Sequence, residues 1–145
     1  MKRRLYPLLL LAVFLLGCLG HLLLKPKKEA LFPYFVTFTS ENVNNLLLYS
    51  LPNVGDALSF SGVSGEVLEI YHTPTTLHLR SEGETHARTS RLFSNVTLRL
   101  RIAAGEVGGR LTVGGAPLFL GDTVTLSGSR FTLSARFTGF RADFS

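Results

Sequence analysis

The chain has 145 residues, of which 46% are hydrophobic and 17% charged, with a formal net charge of +5. That charge is unevenly placed: six of the fifteen lysines and arginines lie at or before Lys28, all ten acids lie after it, and from Glu29 onward nine arginines face ten acids. A folded part near −1 lacks the basic footprint that binding of duplex or single-stranded nucleic acid needs, and a single cysteine excludes an intramolecular disulfide.

Residues 1–24 read as a membrane anchor. Met1-Lys2-Arg3-Arg4 precedes an apolar run that opens at Leu5 and closes at Leu24, and Lys25-Pro26-Lys27-Lys28 follows. About twenty residues in a helix rising about 1.5 Å each match a hydrocarbon core about 30 Å thick. The expectation is an uncleaved signal anchor, single-pass, with membrane lipid as its partner. Two other readings stay open: a lipoprotein signal, in which Leu15-Leu16-Gly17-Cys18 directs lipidation of Cys18, and an ordinary cleaved signal peptide. The run stays apolar past Cys18, His21 apart, whereas a lipidated terminus runs into a polar tether. No clear small-x-small cleavage site precedes the lysines. Cys18 therefore reads as a small apolar residue of a membrane helix. Basic residues flank both ends, so the positive-inside rule gives no vote. The likeness of the opening to an export signal tips the expectation to a cytoplasmic amino terminus and an extracytoplasmic domain in the cell envelope, with the opposite orientation left open.

Residues 25–34 read as a juxtamembrane linker and 35–145 as one mostly-β domain, long enough for its own core. In chain order, strands are expected near 35–39, 58–60, 67–71, 77–80, 96–102, 110–113, 124–126 and 131–137, with a possible helical turn within 41–51. The two longest show strict alternation. Val96, Leu98, Leu100 and Ile102 alternate with Thr97, Arg99 and Arg101, and Phe131, Leu133, Ala135 and Phe137 with Thr132, Ser134 and Arg136. Successive strand side chains point to opposite faces, so each run offers one apolar and one wet face. Short strands with glycine punctuation, as at Gly108-Gly109 and Gly114-Gly115, argue a small β-barrel or sandwich.

One internal echo sharpens this. Gly55-Asp56-Ala57-Leu58-Ser59-Phe60-Ser61-Gly62 returns as Gly121-Asp122-Thr123-Val124-Thr125-Leu126-Ser127-Gly128. Glycine permits positive φ, and the Asp carboxylate can accept a neighbouring backbone N–H, so each pair makes a compact lead into a strand. The closing glycine of each permits a tight exit. The arrangement looks like the Gly-Asp box of the cradle-loop barrels, which implies two halves related by pseudo-twofold symmetry.

The chain also resembles the small bacterial single-span membrane proteins catalogued as domain of unknown function four-three-three-zero. The resemblance rests on the single amino-terminal span, on Val36-Thr37-Phe38 leading to Glu41-Asn42-Val43, and on Val54-Gly55-Asp56 with Gly65-Glu66-Val67-Leu68-Glu69-Ile70. Gly114-Gly115-Ala116-Pro117-Leu118 running into Leu120-Gly121-Asp122 completes it. It implies a membrane-tethered β domain of unassigned activity.

Candidate chemistry is sparse. His72, His78 and His86 fall close together, but no His-x-His pair forms, and they read as solvated rather than metal-ligating. Gly62-Val63-Ser64-Gly65 is too short for a nucleophile elbow and reads as a hairpin turn. Glu66 and Glu69, three apart in an expected strand, point to opposite faces unless a bulge intervenes. Asn95-Val96-Thr97 fits the glycosylation pattern in a poor context. No catalytic, cofactor or metal residue is assigned, and no cofactor is expected. The segment 80–91, RSEGETHARTSR, between two alternating strands, reads as a loop forming a long, solvent-exposed hairpin tip, where binding tends to reside. The expected function is a non-catalytic, membrane-anchored extracytoplasmic β domain contacting an envelope protein or polymer. The alternative is a small-ligand or metal-binding lipoprotein associated with a transporter.

Overall fold

The computed structural model describes residues 30–143 except Glu82, together with Phe14. The expected anchor, the assignment of Cys18 and the first part of the linker lie outside the described residues, Phe14 apart. Among the described residues no helix is long and apolar enough to cross a membrane.

The domain is built almost wholly of antiparallel strands: β1 (Phe32–Asn44), β2 (Ala57–Phe60), β3 (Val63–Ser81), β4 (Glu84–Val107), β5 (Arg110–Val113), β6 (Ala116–Leu118), β7 (Thr123–Ser127) and β8 (Thr132–Ala142). A 3-10 helix, Asn45–Ser50, follows β1 and is capped by the Asn44 side chain, which accepts from the Leu46 N–H. Hydrogen bonding runs β1-β8-β7-β2-β3-β4, and β4 pairs again with β1, so six strands close on one another. β5 and β6 continue from the carboxyl-terminal end of β4 as a small antiparallel sheet. Exchanging β1 with β4, β2 with β7 and β3 with β8 maps the six-strand pairing scheme onto itself.

The alternation read from the sequence places the core. In β4 the residues Val96, Leu98, Leu100 and Ile102 are buried, as are Val36 and Phe38 of β1 and Leu133, Ala135 and Phe137 of β8. Phe38 packs edge-on to Phe60 at 5.0 Å between centroids and against Phe137 at 5.7 Å. Each large apolar side chain so buried contributes roughly 1.5–3 kcal/mol. Side chains therefore fill the space inside the closed strands, and among the described residues no buried side-chain nitrogen or oxygen lacks a hydrogen-bond partner.

Several sequence boundaries shift. β1 starts at Phe32, inside the expected linker, because Tyr34 is a core residue packed against Phe140. The hairpin turn expected at Gly62-Val63-Ser64-Gly65 lies at Ser61-Gly62, both at positive φ, and Ser64 is a strand residue paired with Ser59. That backbone pattern matches the twist of the flanking strands. The largest difference concerns 80–91, expected as the loop of a long hairpin tip, which is strand on both sides of Glu82-Gly83. Residues 76–81 pair with 84–89, so β3 and β4 continue as a two-stranded ribbon beyond the closed ring.

Candidate functional site

The two Gly-Asp steps are the most regular local geometry in the domain. The Asn53 N–H donates to Asp56 Oδ2 at 2.8 Å, and the Phe119 N–H donates to Asp122 Oδ2 at 2.9 Å. The backbone N–H groups of the same aspartates donate to the Asn53 and Phe119 carbonyls at 3.1 and 3.0 Å. Gly55 and Gly121 donate to Val67 and Phe137 carbonyls, both at 2.8 Å, and Val67 and Phe137 return bonds to the Asp56 and Asp122 carbonyls at 2.9 and 2.8 Å. Each aspartate thus ties a turn to the start of β2 or β7 and is engaged in structure. The exits of the two octapeptides differ: Gly62 sits in a two-residue turn at φ 76, whereas the Gly128 N–H donates to the Phe131 carbonyl in a longer loop.

Glu66 and Glu69 come to one face. An irregularity between Val67 and Glu69 shifts the register so that Glu66 stands opposite Arg101 and Glu69 opposite Arg99. This is the exception the spacing left open: a bulge adds one residue to the side-chain alternation and brings both carboxylates to one face. Glu69 bonds Arg99 at 3.1 Å, and Arg101 bonds the buried Asp143 at 2.9 Å. Arg99 and Arg141 lie over the Phe35 ring at 5.1 and 5.6 Å from its centroid. Glu69 and Asp143 stand in ion pairs with arginines, an arrangement that holds strands together rather than positioning a proton donor beside a base. Nearby, Tyr34 donates its hydroxyl to Glu106 Oε2 at 2.6 Å; that bond, burial, and the carboxylate's charge raise the phenol pKa above its ordinary 10.0.

Every described residue of the ribbon, 76–81 and 83–89, is exposed, and hydrogen bonds hold its base. Asn95 Oδ1 accepts from the Asn42 N–H at 3.1 Å and from Thr75 Oγ1 at 3.2 Å, which pins the bulge of β1 to the root of β3. On β4, Ser90 Oγ accepts from Leu92 and Phe93 N–H at 3.2 and 3.0 Å. Asn45 Nδ2 donates to the Arg91 carbonyl at 2.8 Å, and Ser94 Oγ donates to Asn45 Oδ1 at 2.8 Å. The carboxamide of the glycosylation-like triplet is thus a structural clasp. Above this base, Leu77 stands opposite Arg88, Leu79 opposite His86 and His78 opposite Ala87. Directly opposed residues share a face, so Leu77 and Leu79 project on the side of His86 and Arg88, away from His78. Both leucines are exposed, at 40% and 48%.

His72, His78 and His86 are spread along the ribbon and its root, opposite Val96, Ala87 and Leu79 respectively. Among the described residues no three His, Cys, Asp or Glu side chains gather to hold a metal ion. Two open grooves flank the base. One, of about 650 Å³, is lined by Glu41, Asn42, residues 73–78 and Asn95, and the other, of about 660 Å³, includes Val43, Leu47, Phe93, Leu133 and Arg136. Both open to solvent along the flank of the strands. The β3 half of the ribbon was marked by Leu77 and Leu79 alternating with His78 and Arg80, whereas the β4 half, 84–89, was hidden by its polar composition; Thr85 and Thr89, β-favouring residues, are the signal that marks it.

Compared with protein-family models, curated proteins and solved structures, the chain finds no match.

Proposed function

We propose that this chain is a non-catalytic, membrane-anchored β domain, presented outside the cytoplasm, that acts by contacting an envelope protein or polymer through the β3–β4 ribbon. The body carrying the ribbon is a small duplicated barrel of two Gly-Asp-box halves, β1–β3 and β4 with β7–β8. Support for the duplication comes from the matched hydrogen bonds at Asp56 and Asp122 and from the exchange symmetry of the strand pairings. The likeness to the single-span family of unknown function is part of the same reading, as are membrane lipid as the partner of residues 1–24 and the absence of a nucleic-acid partner.

One observation carries the functional reading: a two-stranded arm extends from a filled barrel, exposed on both faces, with a base clasped by Asn45, Ser90 and Asn95. An isolated hairpin is marginal in water, so an arm kept at this length outside the core needs a surface to lie against. The interior, filled by phenylalanine, leucine and valine, argues against a ligand held inside the barrel. The test is capture of tagged full-length protein from crosslinked membranes, wild type beside a variant in which residues 76–89 are replaced by Asn-Gly. The trimmed protein melts as wild type does and loses the captured partner. Retention of the same partner by the trimmed protein would refute the reading.

A further inference from the structure

Both edges of the ribbon are available for strand addition. Pairing of β1 to β4 stops at Phe93 and pairing of β2 to β3 stops at Glu66, so among the described residues 76–81 and 84–89 pair only with each other. An exposed strand edge is a row of backbone donors and acceptors that a further strand can continue. The two edges differ in what they accept. The β3 edge, residues 75–81, contains Arg80 and no acid, so no self-pairing of that edge matches its charge, and Pro74 at its root removes a donor.

The β4 edge is self-complementary. Laid antiparallel against a second copy with His86 on the twofold axis, Glu84 stands opposite the partner's Arg88, and Arg88 opposite the partner's Glu84. Thr85 stands opposite the partner's Ala87. The two acid–base pairs then lie on one face with the histidines between them, and only small side chains meet on the other. Opposite charges directly across strands stabilise the pairing, and like charges there oppose it. A slip by one residue places Glu84 against Ala87 or Thr89 and removes both ion pairs, so charge fixes the register as well as the partner. Within one copy Glu84 lies 3.9 Å from His86 of the same strand, and the cross-strand neighbours of Glu84 and Arg88 are Ser81 and Leu77, so the acid meets no arginine there.

We infer that the ribbon joins two copies of this chain into a twofold dimer by antiparallel pairing of their β4 edges over residues 84–88, giving a four-stranded sheet with the β3 strands outermost. This rests on the reading of the ribbon as the contact surface and names its occupant as a second copy. A closed pairing of like edges also protects them from open-ended strand addition.

The test uses the full chain in membranes, in a Cys18→Ala background, with one cysteine placed in turn at 84, 85, 86, 87 and 88, followed by mild oxidation. His86→Cys gives a disulfide-linked dimer, because only that residue faces itself. Thr85→Cys and Ala87→Cys do not crosslink alone but do so when the two variants are co-expressed. Adding Glu84→Arg to the His86→Cys chain abolishes the crosslink, and adding Arg88→Glu as well restores it. Equal crosslinking at all five positions, or no rescue by the double charge exchange, overturns the dimer. Crosslinking of the ribbon cysteines to a different protein alone also overturns it while leaving the ribbon as a contact surface. Absence of any crosslink from the ribbon overturns both readings.

Discussion

Replacing Asp56 or Asp122 by alanine removes one carboxylate oxygen that accepts a turn N–H, at 2.8 Å from Asn53 or 2.9 Å from Phe119. A hydrogen bond to a charged acceptor contributes about 1.5–3 kcal/mol net when its donor would otherwise be stranded. Both turns are open to water, so solvent recovers part of this, and the cost falls to about 1 kcal/mol at the exposed Asp56. Asp122 is half-buried and stands to cost somewhat more. Asparagine keeps an acceptor oxygen and forfeits only the charge, so each Asn variant should lose about half as much. For a domain of about this size, 1 kcal/mol moves the melting temperature by about 4 °C. The two turns share no partner, so the double alanine variant should show the sum of the single effects. Thermal melts followed by circular dichroism on the four single variants and the double measure this. Alanine variants that melt like wild type would refute a structural role, and an intact melt with lost function even in the asparagine variants would point instead to acids used in chemistry.

Tyr34→Phe removes the part-buried phenol bond to the exposed Glu106 and should cost about 1 kcal/mol. Because the folded-state phenol pKa is raised above 10.0, its contribution is complete below about pH 10 and is lost as pH rises through the folded value. Wild type should therefore lose stability more steeply than Tyr34→Phe in denaturant titrations above that pH. Gly114→Ala places a Cβ 2.7 Å from the Ser61 carbonyl oxygen at a φ of +60, whereas Gly115→Ala at +82 meets nothing within 4 Å. The first should cost about 2–3 kcal/mol and the second about 1, a difference that chemical denaturation resolves. Radiolabelled palmitate should not enter the protein through Cys18; incorporation that disappears in Cys18→Ala would replace the anchor by a lipidated terminus.

The core was legible wherever one strand face packs inward. Val96 to Ile102 and Leu133 to Phe137 alternate because every second side chain meets the opposite wall, and the same rule located Val36 and Phe38. The Gly-Asp steps were legible because turn chemistry is local, and the aspartates indeed bond the residue three positions earlier. The β4 half of the ribbon, 84–89, was not, since neither ribbon face packs on the core and no apolar period marks those residues, whereas Leu77 and Leu79 gave away the β3 half. β6 escaped for a related reason: it is three residues long, lies at the end of its sheet and contains Pro117. The clustering of Glu66 and Glu69 on one face depends on a bulge that composition does not announce. Clasps such as Asn95, whose partners Asn42 and Thr75 lie 53 and 20 positions away in sequence, exist only once the strands are in register.

The claim that the ribbon is the working surface is tested most directly by a photo-crosslinking residue placed at the exposed Ala87, on the β4 strand of the arm, or at the exposed Thr125 of β7, in the full chain within its native membrane. Irradiation should give a discrete higher-mass adduct from position 87 and none from position 125. No adduct from 87, or equal adducts from both positions, would contradict the account.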